Sequence, residues 1–377
     1  MKAFSKNSDS IFLGLVILAL AIGAGVLYSQ WQVIEHYWKT DFRQHSASFD
    51  PNQVISMPAG RDTMIQPIDV PLFAPVAIVE RHFSAIDPVI VVDSYGISRA
   101  YPLQILATHE IVNDQIADVP IAVTFCPLCN SAIVYRREMD GHILRMGVSG
   151  NFYGNNFLMY DDRTESWWHQ LTGEALVGEY AGQFLEIVPS QVVTFATYSM
   201  RYPAGEVLVG DAQNTNISYQ LSTLIHYQRS RAPLLSNGDY DERLQAMERV
   251  LATTIADVPI AYSFDTLQEM GVVNDVVADY EMVVFWMPTP ADPNNIDPNL
   301  PDYGQASAFG RVVGGQTLTF RSDEGRIFDN ETNSEWNIFG EAIAGELIGA
   351  KLPDLQCFTH FWFAWSSTYP ETLVYDG

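Results

Sequence analysis

The chain has 377 residues, 47% of them hydrophobic, and carries 45 acidic against 20 basic side chains, a formal net charge of −25. That length and apolar content suit about two domains with buried cores. The acidic surface repels phosphate backbones, so the charge argues against nucleic acid as a partner. Three cysteines are too few for a disulfide framework.

The first clear pattern is an uncharged apolar run at residues 11–28. As a helix this run would measure about 27 Å, close to the roughly 30 Å hydrocarbon core of a bilayer. Lys2 and Lys6 precede it and aromatic residues follow it, which predicts a single-pass membrane protein with a cytoplasmic N-terminus. A cleaved secretory signal is the competing interpretation. Both predict an extracytoplasmic chain, and the anchor predicts the lipid bilayer and other envelope proteins as partners.

Beyond residue 60 the sequence repeats itself. Ala100-Tyr101 recurs 161 positions later as Ala261-Tyr262, and residues 173–175 recur at an offset of 167 as residues 340–342. Short β-branched and aromatic runs, broken by Gly, Pro, Asn and Asp, predict strands. Residues 102–112 have apolar side chains at helical spacing, with a proline in the first turn, and predict a helix.

These patterns predict an α+β, β-rich fold in which an N-terminal transmembrane helix is followed by two homologous lobes with short helices. The predicted parts are an anchor with its flanks (1–39), a tether (40–60), a first lobe (61–210), a connector (211–243) and a second, degenerate lobe (244–377).

A Cys-Pro-Leu-Cys turn, Cys126 to Cys129, separates two of the predicted strands. Pro127 presets its own φ, and Asn130 tolerates a left-handed backbone, so both thiols are predicted at the bend of a hairpin. This turn resembles the metal-binding knuckle of zinc ribbons and rubredoxins. A dithiol-exchange motif would open a helix, but no helical pattern follows Cys129, and this favours metal binding.

The repeat acts as an internal control, because chemistry confined to one lobe should appear as residues that the other lobe has lost. Cys126 and Cys129 correspond to Met287 and Pro290 in the second lobe. The same comparison selects five further side chains of the first lobe: His109, Glu110, Met159, Glu165 and His169. By contrast, the Asp161, Thr164, Ser166 and Trp168 pattern occurs in both lobes and is interpreted as part of the shared fold.

We therefore predict a transition-metal site formed by Cys126, Cys129 and His109, with Met159 as a soft ligand. Thiolates and an imidazole suit copper(I) or zinc, and the available methionine favours copper. Glu110 and Glu165 are the predicted catalytic or supporting carboxylates. No nucleotide or haem is expected, because the corresponding motifs do not occur in the sequence.

Two other functions stay open, and the sequence leaves enzymatic activity undecided. The cysteine pair would serve a thiol–disulfide oxidoreductase if its thiols were reactive without metal. It would instead be a structural disulfide in a non-catalytic envelope scaffold if it were inert.

Several motifs resemble the DUF3179 family, and the similarity covers almost the whole chain beyond the tether. The motifs are residues 109–114 (HEIVND), 124–129 (TFCPLC), 147–150 (GVSG), 158–161 (LMYD), 164–166 (TES), 173–175 (GEA) and 361–365 (FWFAW). The resemblance implies little about activity, because the family is biochemically uncharacterised.

Overall fold

The computed structural model describes residues 38, 40–57, 61–215, 219, 227, 230–236, 241–289 and 304–377. Strands predominate, as predicted. The strands before residue 212 are β1 (Ile55–Ser56), β2 (Pro71–Pro75), β3 (Pro88–Ser94), β4 (Ile97–Pro102), β5 (Ile111–Ile116), β6 (Val119–Cys126), β7 (Ser131–Arg136), β8 (Glu138–Met139), β9 (His142–Ile143), β10 (Met146–Tyr153), β11 (Asn156–Asp161), β12 (Trp167–His169), β13 (Ala175–Val177), β14 (Gln191–Thr194) and β15 (Glu206–Asp211).

The strands that follow are β16 (Arg249–Ile255), β17 (Val258–Ser263), β18 (Val272–Val277), β19 (Tyr280–Met287), β20 (Gln305–Gly310), β21 (Val312–Val313), β22 (Gln316–Thr317), β23 (Phe320–Asp323), β24 (Arg326–Asp329), β25 (Glu335–Trp336), β26 (Ala342–Ala344), β27 (Phe358–Phe361) and β28 (Leu373–Val374). A 3₁₀ turn spans Pro51–Gln53. The α-helices in the described ranges are α1 (Val76–Val79), α2 (Leu103–His109), α3 (Phe195–Arg201), α4 (Phe264–Met270) and α5 (Trp362–Thr368).

The prediction of a transmembrane helix is corrected, and with it the prediction of a single-pass membrane protein. The α-helices in the part of the chain that the structure describes have at most seven residues, or about 10 Å. None of these helices is both long and apolar enough to cross a bilayer. Residues 11–28, on which the prediction rested, lie outside the described residues.

The elements recur along the chain in one order. Strands β3 to β6, with α2 among them, begin 161 residues before β16 to β19 and α4. Strands β7 to β10 begin 174 residues before β20 to β23, and β14 and α3 begin 167 residues before β27 and α5. We call the two series of elements the first and second lobes. Their predicted boundaries stay a prediction.

Corresponding sheets have corresponding topology. In the first lobe, a sheet of order β14-β3-β4-β15-β2 contains one parallel pair, β15 with β4. In the second lobe, a sheet of order β27-β16-β17-β28 contains the parallel pair β28 with β17. Each lobe also has a three-stranded antiparallel sheet, β5-β6-β7 or β18-β19-β20.

The repeated Asp-x-x-Thr pattern forms the same polar turn twice. In the first lobe Trp168 Nε1 donates to Asp161 Oδ2 over 2.9 Å, and in the second lobe Trp336 Nε1 donates to Asp329 Oδ2 over 2.9 Å. The threonine three residues after each aspartate donates its backbone N–H to the same carboxylate. A buried carboxylate with this many donors fixes the turn and orients the indole, as expected for shared scaffold.

Two of the hydrophobic core clusters contain residues of both lobes. One core cluster joins Val89 and Tyr198 of the first lobe to Phe285 and Trp336 of the second. A second cluster joins first-lobe residues, including both cysteines and Trp168, to Phe358 and Phe361 of the second lobe. The three-stranded sheet of each lobe therefore contributes to a core completed by the other lobe.

Candidate functional site

The Cys126 to Cys129 turn connects β6 to β7, as the predicted hairpin requires. Cys126 pairs with Ser131 across the two strands, and the Cys129 N–H donates to Cys126 O over 3.2 Å. Asn130 has φ +52°, the left-handed conformation that asparagine tolerates better than most residues. The turn therefore places the two sulfurs side by side.

Cys126 and Cys129 are joined by a disulfide bond. Only 1% of Cys126 and none of Cys129 is exposed, because both pack in a core cluster with aromatic side chains of the second lobe. Cys129 Sγ lies 3.3 Å from Asn155 O, a contact in which a disulfide sulfur has no proton to donate. The sulfurs are therefore shielded from solvent.

The second lobe and the connector both bind the carbonyl groups of this turn. The backbone N–H of Phe361, at the end of β27, donates to Cys129 O over 2.8 Å. The Tyr227 hydroxyl donates to Leu128 O over 3.0 Å, and the Tyr227 and Phe361 rings meet edge to face. The disulfide turn is thus a junction between three parts of the chain.

His109 ends helix α2, where both of its ring nitrogens contact polar groups. Nδ1 lies 2.6 Å from Gln66 O and Nε2 lies 3.1 Å from the Tyr219 hydroxyl. An Nδ1–H tautomer satisfies both contacts, because it donates to the carbonyl and accepts from the hydroxyl. In this arrangement neither nitrogen has a lone pair free to bind a metal.

The predicted metal ligands do not come together as a set. Within the described ranges, no three His, Cys, Asp or Glu side chains are grouped so that they could hold a metal ion. Met159, on β11, packs in the same core cluster as Cys126 and Cys129, whereas the ring nitrogens of His109 contact Gln66 O and the Tyr219 hydroxyl. Metal binding, with copper favoured over zinc, stays a prediction.

Glu110 combines burial with an unusual backbone conformation. It follows α2 with φ +57° and ψ −31°, and only 5% of the residue is exposed. Gly271 follows the corresponding helix α4 with φ +68° and ψ −38°. The first lobe therefore keeps a carboxylate where the second lobe has the residue that this backbone favours. Burial raises the pKa of Glu110 to about 8, so this group can hold a proton near neutral pH.

Glu165 and His169 have structural partners. The Glu165 carboxylate forms an ion pair with Arg61 at 2.7 Å, and the Arg61 guanidinium lies over the ring of Trp38. The His169 ring contacts Thr172 Oγ1 and Tyr153 O, and burial lowers the pKa of His169 to about 4. The Glu165 contacts connect the N-terminal segment to the first lobe, and the His169 contacts connect β12 to β10 within that lobe.

The sequence comparison missed one chemically capable residue of the second lobe, His360. This histidine is fully buried on β27, and neither ring nitrogen has a hydrogen-bond partner among the residues that the structure describes. The signal was available, because the offset of 167 aligns His360 with Val193. From the sequence, the place of His360 beside Phe361 and Trp362 indicates a packing role, and the comparison itself sought losses from the second lobe and not gains by it.

Together, the fold and the site define a class: a β-rich protein of two repeated lobes, with a buried disulfide turn where the lobes meet. A family model described as "Protein of unknown function (DUF3179)" matches residues 63–372. The chain therefore belongs to the DUF3179 family, as its motifs indicated. No curated protein and no solved structure was found to match the chain.

Proposed function

We propose that this DUF3179 protein is a non-catalytic scaffold in which the Cys126–Cys129 disulfide fixes the junction between the two lobes. The observation that carries the proposal is the hydrogen bond from Phe361 N to Cys129 O. A disulfide across the turn restricts the backbone that presents this carbonyl, so the second lobe meets a preformed acceptor.

Burial supports an inert disulfide over an exchanging one. Thiol–disulfide exchange needs a thiolate in line with one of the two sulfurs, and the exposed fractions of Cys126 and Cys129 are 1% and zero. Both sulfurs pack with Phe361 and Phe363 in a core cluster, so access would require separation of the lobes. For this reason the scaffold is favoured over the oxidoreductase.

The disulfide bond and the contacts of His109 argue against metal binding. The cysteines share a covalent bond, and metal coordination requires two free thiolates. The ring nitrogens of His109 contact Gln66 O and the Tyr219 hydroxyl. A metal site would therefore need both reduction of the disulfide and loss of at least one of these His109 hydrogen bonds.

Thiol counting with elemental analysis tests the proposal. The full chain has three cysteines, and Cys357 is free in the structure. Protein purified without reductant and denatured without reductant should show one titratable thiol and no stoichiometric copper or zinc. Three thiols with one equivalent of metal would establish the metal site instead, and three thiols without metal would establish a dithiol.

The native protein provides the second part of the test. A structural disulfide should resist a glutathione redox buffer until the protein unfolds. In the absence of reductant, a denatured Cys357→Ser variant should show no thiol at all. Reduction of Cys126 and Cys129 in the folded state, at a rate independent of denaturant, would contradict the proposal and support an oxidoreductase.

A further inference from the structure

A cleft lies between β16 and β27 of the second lobe and residues 171, 172 and 187 of the first. Its volume is about 420 Å³, within the range of small-molecule sites. Its walls combine apolar side chains, among them Leu171, Ile255 and Trp365, with about as many polar ones. None of the described residues that line the cleft belongs to the disulfide turn. That turn contacts Phe361, the residue after His360.

The repeat supplies a natural comparison for this cleft. The corresponding cleft, against β3 and β14 of the first lobe, has a volume of only about 60 Å³. Thr172 in the large cleft corresponds to Phe339 in the small one, where the Phe339 ring packs edge to face on Tyr202. The fold therefore tolerates a filled cleft, and the space beside Thr172 is a particular feature of one half.

The mouths of the two clefts differ as well. Beside the small cleft, Arg201 lies over the Tyr202 ring and makes two hydrogen bonds of 2.6 and 2.7 Å to Glu341. The offset of 167 places Thr368 and Glu174 at the equivalent positions of the large cleft. Threonine cannot form that ion pair, and the Glu174 carboxylate accepts a hydrogen bond from Ser48 Oγ instead.

His360 lies in the wall of the large cleft with no exposed surface, at a position where the first lobe has the apolar Val193. His360 pairs with Val250 across β27 and β16, as Val193 pairs with Val89 across β14 and β3. The ring of His360 stacks on Trp365, which also lines the cleft. Its two ring nitrogens have no hydrogen-bond partner in the described part of the chain. The other lobe has the apolar Val193 at this core position. The fold therefore does not require an imidazole here, and its unsatisfied nitrogens lower the stability of the protein.

The protonation state of His360 and the charge of the lining residues indicate which kind of ligand the cleft can bind. Burial lowers the pKa of His360 to about 3, so the ring is neutral near pH 7 and offers one N–H donor and one acceptor nitrogen. Among the described lining residues only Asp354 is charged, and its carboxylate lies 3.2 Å from Lys351 Nζ. A net charge of −25 disfavours anions.

We propose that this cleft binds a small uncharged molecule with an apolar body and a hydroxyl group, and that on binding the buried His360 ring turns towards the cleft and exchanges hydrogen bonds with that hydroxyl. A hydroxyl both donates and accepts, so it matches either ring nitrogen. The apolar body occupies the space beside Thr172 that Phe339 fills in the other half.

The experiment uses 4-ethylphenol as the probe and ethylbenzene as a matched compound without the hydroxyl, with binding followed by calorimetry and by NMR of ring-labelled histidine. We expect 4-ethylphenol to bind the full chain and to shift the His360 ring signals. Ethylbenzene should bind about tenfold more weakly, which corresponds to one hydrogen bond.

Two variants each introduce the residue found at the equivalent position of the other half of the repeat, so both should fold. Thr172→Phe should fill the cleft and abolish binding of both compounds. His360→Val should remove the preference for 4-ethylphenol over ethylbenzene and should raise the melting temperature in the absence of a probe, because it removes an unsatisfied buried group.

The proposal is overturned if 4-ethylphenol fails to bind below about 1 mM, if Thr172→Phe binds it as well as the unmodified chain does, or if His360→Val lowers the melting temperature. The last result would assign His360 a packing role. None of these outcomes depends on the redox state of Cys126 and Cys129, so this test and that of the scaffold function fail independently.

Discussion

The backbone N–H of Phe361 donates a hydrogen bond to the carbonyl oxygen of Cys129, 2.8 Å away, and so joins β27 of the second lobe to the disulfide turn of the first lobe. This contact is local in space and distant in sequence. It lies within a core cluster built from both lobes, so the conformation of the turn and the docking of the lobes are coupled.

Removal of the disulfide should destabilise the protein. The bond closes a loop of four residues, for which restriction of the unfolded chain predicts a loss of about 2 kcal/mol in the free energy of unfolding. The measurement is urea unfolding of a Cys126→Ser/Cys129→Ser double variant. Cys357→Ser is the control, and its free energy should change by less than half as much. An unchanged midpoint for the double variant would show that the bond does not support the fold.

Glu110→Gly should stabilise the protein. Glycine occupies the equivalent position 271 with nearly the same φ and ψ, whereas a left-handed backbone costs other residues about 1–2 kcal/mol. The greater flexibility of glycine in the unfolded chain offsets part of this gain. We expect a higher unfolding midpoint at pH 7, where removal of the buried carboxyl adds to the effect. A Gly271→Glu variant should show the opposite change, and equal midpoints in both variants would contradict the strain argument.

Glu110 should make stability fall as pH rises. Its pKa is raised from 4.5 to about 8, so the unfolded chain releases its proton at lower pH than the folded chain does. The stabilising contribution is complete below pH 4.5 and is lost by about pH 8, with an upper value of about 5 kcal/mol. The difference in unfolding free energy between the protein and its Glu110→Gln variant, measured from pH 4.5 to 8.5, reports this contribution. A difference that does not change with pH would refute it.

His169 should have the opposite pH dependence. Its pKa is lowered from 6.5 to about 4, so the unfolded chain takes up a proton before the folded chain does. Its contribution is complete above pH 6.5 and is lost as pH falls towards 4, by about 3 kcal/mol. His169→Asn introduces the residue found at the equivalent position 337, and it should flatten the acid limb of the stability curve between pH 6.5 and 4. An acid limb that stays as steep would exclude His169 as its source.

The two Asp-x-x-Thr turns should be equally important for folding. Asp161→Ala and Asp329→Ala each leave an indole N–H and backbone donors without their acceptor, which should cost about 2–3 kcal/mol in either lobe. Urea unfolding of the two variants gives the comparison. A large effect in the first lobe with almost none in the second would indicate a functional role for Asp161 beyond the shared fold.

The sequence determined the features that depend on short segments. The repeat of Ala100-Tyr101 at 261–262 predicted a repeated order of strands and helices. The Cys-Pro-Leu-Cys run with Asn130 predicted a hairpin bend. The Asp-x-x-Thr patterns produced the same turn twice. In each case the deciding interactions are backbone preferences or hydrogen bonds between residues close along the chain. The family assignment followed from the same local motifs.

Tertiary structure alone decided which groups meet. The predicted membrane helix has no counterpart among the described helices, and the ring nitrogens of His109 contact Gln66 O and the Tyr219 hydroxyl. The shared cores and the cleft at His360 arise from contacts between residues more than 100 positions apart. Such contacts depend on how two lobes pack, and packing is set by the whole buried surface, so no local pattern specifies it.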